Sequence, residues 1–263
     1  MTTNSGEGLR RHPLKARDRL IVALDVPGEA PALRLVEQLA GTVGCFKIGL
    51  ELFTRTGPGI VERIRTLAEE GTSIFLDLKF HDIPNTVERA VRAACELGVD
   101  MLTLHAGGGS EMLRAAVRGV ANSGSGGVRA LLLGVTVLTS STGETLRETG
   151  VPAHADDDLA GQVLRLARLG VAAGLGGLVA SPLEIRPLRL AFADAPPVRL
   201  VIPGVRPAWA AEPGDQRRVM TPADAIAAGA DYLVVGRPIT GQGDPAAAAR
   251  RVVEEIAGAV AGS

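Results

Sequence analysis

The sequence predicts an α/β fold, a single (β/α)8 TIM barrel, and three observations lead there. Short apolar runs rich in Val, Ile and Leu alternate with longer amphipathic stretches as far as the C-terminus. Each run is apolar on successive residues, as in parallel strands covered by helices. Eight such repeats in 263 residues match the usual size of the closed barrel. An open dinucleotide-binding sheet would instead carry G-x-G-x-x-G after its first strand, and Ala23-Leu-Asp-Val-Pro-Gly28 lacks it.

The strands expected in order are Leu20 to Leu24, Cys45 to Gly49, Ile74 to Leu78, Met101 to Leu104, Ala130 to Leu138, Gly177 to Ala180, Leu200 to Ile202 and Tyr232 to Val235. Helical periodicity covers Ala30 to Leu39, Gly59 to Glu70, Val87 to Leu97, Ser110 to Val120, Leu159 to Ala172 and Pro245 to Val260. Pro58, Pro84, Pro182, Pro222 and Pro245 sit where helices would begin, positions at which the missing N–H costs nothing. Residues 1–18 read as a flexible N-terminal tail and 19–263 as the catalytic barrel, with the Gly/Ser-rich Asn122 to Gly127 as a loop.

Composition removes several classes of function. With 28 Lys and Arg against 29 Asp and Glu, no basic footprint marks a nucleic-acid or membrane partner. Seven aromatic residues are too few for a base-stacking platform. The longest apolar run, Val171 to Ala180, is interrupted by three glycines and falls well short of the roughly 18 residues of a membrane span. Cys45 and Cys95 form no CxxC pair, which fits a reduced, cytoplasmic setting. His12 and His154 have no carboxylate or Cys partners at ligand spacing, so no metal site is expected.

In such a barrel, chemistry belongs at the C-terminal ends of the strands, and charged residues recur there. Asp25 ends the first, Lys47 lies inside the second, Asp77 and Lys79 close the third, His105 follows the fourth and Thr139 the fifth. Residues two apart share a face, so Asp77 and Lys79 converge while Leu76 and Leu78 face the helices. Lys47 can reach the same face from the neighbouring strand. Two lysines and two aspartates then balance one another and leave an ammonium positioned to deliver a proton; the competing reading of the triplet is a buried ion pair that braces the barrel. Asp82 lies past the strand end, where the pleat no longer fixes its direction. Val201-Ile-Pro-Gly-Val-Arg206 and Val234-Val-Gly-Arg237 each finish a strand with Gly and Arg, the pattern of a phosphate site after strands seven and eight. The Gly/Pro-containing Trp209 to Gln216 between them is long enough for a lid.

These residues resemble a family. Leu24-Asp-Val-Pro27, Lys47-Ile-Gly-Leu-Glu-Leu52, Asp77-Leu-Lys-Phe-His-Asp-Ile-Pro-Asn-Thr86, Leu138-Thr-Ser140, Pro203-Gly-Val-Arg206, Gly214-Asp-Gln-Arg217 and Gly236-Arg237 are similar to the orotidine 5'-phosphate decarboxylases, in order from Leu20 to Ile256. Val205 stands where the family more often has Ile. The resemblance implies conversion of orotidine monophosphate to uridine monophosphate and CO2, with no cofactor and no metal. It implies Lys79 as proton donor, Asp77 facing the substrate carboxylate, and Lys47 and Asp25 on the ribose. Thr139 would lie at the pyrimidine, and Arg206, Gln216, Gly236 and Arg237 at the phosphate. It further implies a homodimer in which Asp82, Ile83 and Thr86 serve the neighbouring site. Two other readings stay open: a Mg2+-dependent sugar-phosphate decarboxylase or aldolase sharing DxKxxD, and a non-catalytic sensor of uridine monophosphate.

Overall fold

The structure is a computed structural model and describes residues 14–124, 130–151, 159–210 and 220–262. Eight parallel strands close into a barrel in sequence order, each pairing with the next and the last with the first. The first half of the chain runs β1 (Leu20–Ala23), α1 (Glu29–Leu39), β2 (Cys45–Gly49), α2 (Leu50–Thr56), α3 (Gly59–Leu67), β3 (Ser73–Phe80), α4 (Pro84–Glu96), β4 (Met101–His105) and α5 (Gly109–Ala121). The second half runs β5 (Leu131–Val135), α6 (Gly143–Glu148), α7 (Leu159–Ala172), β6 (Gly177–Val179), α8 (Ile185–Ala191), β7 (Arg199–Pro203), α9 (Pro222–Ala227), β8 (Tyr232–Val235), α10 (Arg237–Thr240) and α11 (Pro245–Ala261).

The expected strands are all present; β1, β4, β6 and β7 differ from expectation by one residue at one or both ends, and β3 and β5 by more. β3 is longer than its apolar core because Ser73 and Phe80 both pair with neighbours. β5 stops at Val135 instead of Leu138; Val137 stays buried, but the segment bends away into the turn before α6. Five helices (α2, α6, α8, α9 and α10) escape periodicity, since each has four to seven residues, at most two turns. Within the expected tail, Leu14 packs under the barrel and Arg17 bonds the Gly41 carbonyl and the Glu69 carboxylate. Gly44 is required there: a Cβ would lie 2.8 Å from the Arg17 carbonyl oxygen.

The pleat divides the strand residues into two cores. Leu20, Val22, Phe46, Ile48, Ile74, Leu76, Leu102 and Leu104 point outward and pack under the helices. Ile21, Cys45, Phe75, Met101, Leu133, Val201 and Tyr232 point inward and fill the barrel as an apolar floor. One pleat repeat above that floor stand Ala23, Lys47, Asp77, Val135, Val179, Pro203 and Val234, and these line the open mouth. The site is therefore a layer of the same alternation that builds the core.

At the opposite, N-terminal end, two aspartates fasten neighbouring strands. Asp100, just before β4, accepts the Ile74 N–H at 2.7 Å and pairs with Arg65. Asp231, just before β8, accepts the Leu200 N–H at 2.8 Å and pairs with Arg189 and with Arg199 at 2.7 Å. Asp231 is buried, and its removal takes a carboxylate from two arginines and an acceptor from the Leu200 backbone N–H. Asp231→Ala is expected to lower stability by about 2–3 kcal/mol, less than for a fully buried pair because both arginines keep some solvent. The urea midpoint measures this, and a shift within the scatter of surface substitutions would refute it.

Candidate active site

The mouth encloses a cavity of about 580 Å3, within the usual range for a small-molecule site. Its walls differ by strand. β1 to β3 contribute Asp25, Lys47, Asp77 and Lys79; β5 and β6 contribute Val135, Val137, Val179 and Ala180; the ends of β7 and β8 contribute Gly204, Arg206, Gly236 and Arg237.

The charged wall is a row of alternating sign. Lys47 Nζ lies 3.3 Å from Asp25 Oδ1 and 3.4 Å from Asp77 Oδ2, and Lys79 Nζ lies 2.9 Å from Asp77 Oδ1. Exposure grades outward along it: the Lys47 and Asp77 side chains are 10% and 12% exposed, whereas Asp25 is 63% exposed. Burial alone would push the Asp77 carboxyl up. The Lys47 and Lys79 ammoniums, with hydrogen bonds from Lys79 and Thr103, more than offset that and hold it below the usual carboxylate range. Asp77 is thus ionised at neutral pH. Its stabilising contribution is present above the ordinary carboxylate range and is lost only as pH falls through the depressed value.

The local backbone brings the row together in a way the pleat alone does not. Leu76 pairs with Leu102, yet the next pair is Phe80 with Leu104, so β3 carries extra residues opposite β4. Within this bulge Lys79 has φ +51°, a conformation rare outside glycine. Its N–H leaves the ladder and donates to Thr103 Oγ1 at 3.0 Å. Leu76 and Leu78 do pack outward, as alternation predicts.

At the third wall, Gly204 has φ +79°, which lets the chain turn after β7 and returns the Arg206 N–H to the Met220 carbonyl at 3.1 Å. Gly236 precedes α10, whose first residue is Arg237. Two guanidinium groups and glycine backbone at one end of the cavity suit a dianionic phosphate.

Comparison with known proteins fits this arrangement. The family described as orotidine 5'-phosphate decarboxylase / HUMPS matches residues 18–252. The chain belongs to this family. Relatives named orotidine 5'-phosphate decarboxylase include one from Syntrophotalea carbinolica, 51% identical over 94% of this chain and 98% of its own. Another, from Moorella thermoacetica, is 50% identical over 95% of each. A crystal structure of orotidine 5'-phosphate decarboxylase from Lactobacillus acidophilus superposes with a TM-score of 0.77 at 35% identity, covering 90% of this chain and 98% of that one.

The decarboxylase-like residues divide into two groups in space. Asp25, Lys47, Asp77, Lys79, Thr139, Arg206, Gly236 and Arg237 all line the one cavity. Asp82 and Ile83 do not; with His81, Pro84 and Gly108 they form a separate shallow hollow, and Ile83 is 66% exposed. Thr86 lies on the first turn of α4, partly exposed. The second aspartate of the charge row in this chain is therefore Asp25. Gln216 lies outside the described residues, as do most of the expected lid, His12 and His154. Trp209, where that segment begins, is covered by the Arg251 guanidinium of α11, 4.2 Å from the ring centroid.

His105 borders the second group. Its ring lies 5.5 Å from that of His81, and burial, reinforced by His81 and Lys79, pushes its pKa down. Two residues escape a sequence reading. Gln242 lines the cavity after α10, where no pattern announces it. Thr103 hydrogen-bonds Asp77, and its signal was available: it is a hydroxyl inside an apolar strand, flanked at two-residue spacing by Met101 of the floor and by His105.

Proposed function

We propose that the protein decarboxylates orotidine monophosphate to uridine monophosphate and CO2, in de novo pyrimidine synthesis, using neither cofactor nor metal. The observation that carries this reading is the Asp25, Lys47, Asp77, Lys79 row set between apolar walls and a pair of arginines. The relatives named for this activity support it.

The chemistry follows from the charges. The bond between ring carbon C6 and the carboxylate breaks heterolytically, leaving its electron pair on C6. A fixed ammonium stabilises that charge without reorganisation and supplies the proton that quenches it. Lys79 takes this role, and the neutral amine then regains a proton from solvent. Asp77, kept ionised, faces the substrate carboxylate, and their repulsion is relieved as neutral CO2 departs. Lys47 and Asp25 hold the ribose hydroxyls, Thr139 and the valine wall hold the ring, and Arg206, Gln216, Gly236 and Arg237 hold the phosphate. Binding energy from the phosphate end closes the Trp209 to Gln216 lid and is realised as rate at C6.

We also assign a homodimer in which Asp82, Ile83 and Thr86 complete the partner's site, and a cytoplasmic location. Ile83 and Leu50, each following a strand end at the mouth and 66% and 56% exposed, favour apolar contact at that face.

The Mg2+-dependent reading is disfavoured by one distance pair. Lys47 Nζ sits within 3.4 Å of both Asp25 and Asp77, so an ammonium already occupies the space between the carboxylates. An absorbance assay on orotidine monophosphate after exhaustive chelation is expected to show undiminished conversion. Loss of turnover that Mg2+ restores would move the assignment to the metal-dependent branch, and binding of uridine monophosphate without turnover would make the protein a sensor.

A further inference from the structure

We propose that Thr103 is a positioning residue for the reaction, holding the Asp77 carboxylate and Lys79 in their reactive geometry from outside the cavity lining; this rests on the decarboxylase reading. Thr103 is 1% exposed, stands on β4 beside the β3 bulge and is absent from the cavity lining. Whatever it does for a substrate it does through its neighbours.

The hydrogen bonds form a closed circuit. The Lys79 N–H donates to Thr103 Oγ1 at 3.0 Å, the Thr103 hydroxyl donates to Asp77 Oδ1 at 2.9 Å, and Lys79 Nζ donates to that same oxygen at 2.9 Å. Lys79 is thereby fixed at both ends, by its amide through Thr103 and by its ammonium through Asp77. Because the hydroxyl proton goes to a carboxylate, which can only accept, the lone pairs of Oγ1 are left for the Lys79 amide, and the direction of the circuit is set.

The backbone explains why such a tether is needed. A non-glycine residue at φ +51° persists only where its surroundings over-determine it, and the bulge has taken its N–H out of the ladder. Thr103 supplies the acceptor that the neighbouring strand's carbonyls no longer offer. Its β-branched side chain has few χ1 choices, so the hydroxyl is held in place without help from substrate. An apolar residue of the same shape would fill the volume and leave the Lys79 amide without this acceptor.

The test compares Thr103→Val, which keeps the shape and loses the hydroxyl, with Thr103→Ser, which keeps the hydroxyl. For Thr103→Val, kcat on orotidine monophosphate is expected to fall about 100-fold, the usual consequence of small misplacement of a reacting group, while KM and uridine monophosphate affinity stay within about threefold. Thr103→Ser should recover most of kcat. Circular dichroism and product-binding stoichiometry count folded sites, so the loss is expressed per folded site. The proposal is overturned if Thr103→Val retains kcat within about threefold of the parent, or if Thr103→Ser is as impaired as Thr103→Val. It is likewise overturned if Thr103→Val and Thr103→Ala both fail to fold while Thr103→Ser folds, which would make the hydroxyl a stability element. Turnover by the unsubstituted protein separates the two questions: its absence sinks the decarboxylase reading, whereas its presence beside an unimpaired Thr103→Val sinks only this one.

Discussion

Lys79→Ala is expected to reduce turnover of orotidine monophosphate by about 10^4-fold or more, because one substitution removes both the proposed proton donor and a fixed positive charge beside it. The structure indicates that the protein will survive the change. Asp77 keeps Lys47 at 3.4 Å and Thr103 at 2.9 Å, so the buried carboxylate is not left unpaired. Alanine is also no worse suited than lysine to a backbone at φ +51°. Affinity for uridine monophosphate should therefore remain within about an order of magnitude of the parent, since the arginines proposed for the phosphate, Arg206 and Arg237, line the cavity from the ends of β7 and β8 and not from β3. Isothermal titration with the product and the absorbance assay with the substrate separate the two effects. Near-normal turnover would remove Lys79 from the mechanism and the decarboxylase assignment with it.

Mixing two inactive variants should restore activity. Asp82 points into a hollow apart from the cavity that holds Lys79, with its Oδ1 accepting the Ile83 N–H at 2.6 Å. If the turn after β3 serves a neighbouring subunit, Asp82→Ala and Lys79→Ala damage opposite sides of one shared site. In a symmetric dimer, a heterodimer of the two variants contains one site with both defects and one with neither. Random exchange of subunits makes half the dimers mixed, so about a quarter of the parental activity should return from two preparations that are nearly inactive alone. Recovery should scale with exchange, appearing after dilution and reconcentration or mild urea treatment. A self-contained site would recover nothing at any mixing ratio, and the dimer assignment would fall with that result.

The sequence carried the barrel and most of the cavity wall. Apolar runs on successive residues demand helices on one side of the sheet and a filled interior on the other, which leaves few architectures. Charged residues that interrupt such runs near their C-terminal ends, and Gly-Arg pairs just past those ends, belong at the mouth, and so Lys47, Asp77, Arg206 and Arg237 could be named without coordinates. The short helices escaped because fewer than two turns give no period to read, as with α10 beginning at Arg237.

Other features were decided only by the tertiary structure. Which aspartate joins the lysines depends on the distance between strands: Asp25 of the loop after β1 closes on Lys47, while Asp82, three residues from Lys79, turns elsewhere. The bulge at Lys79 is a register property of β3 against β4, invisible to a pattern read along one strand. Thr103 gains its significance only from that register, which brings its hydroxyl to the amide the bulge releases. Local sequence fixes which face a side chain takes, because the pleat has period two. Which charges meet across that face is set by strand pairing, a long-range contact that no single segment encodes.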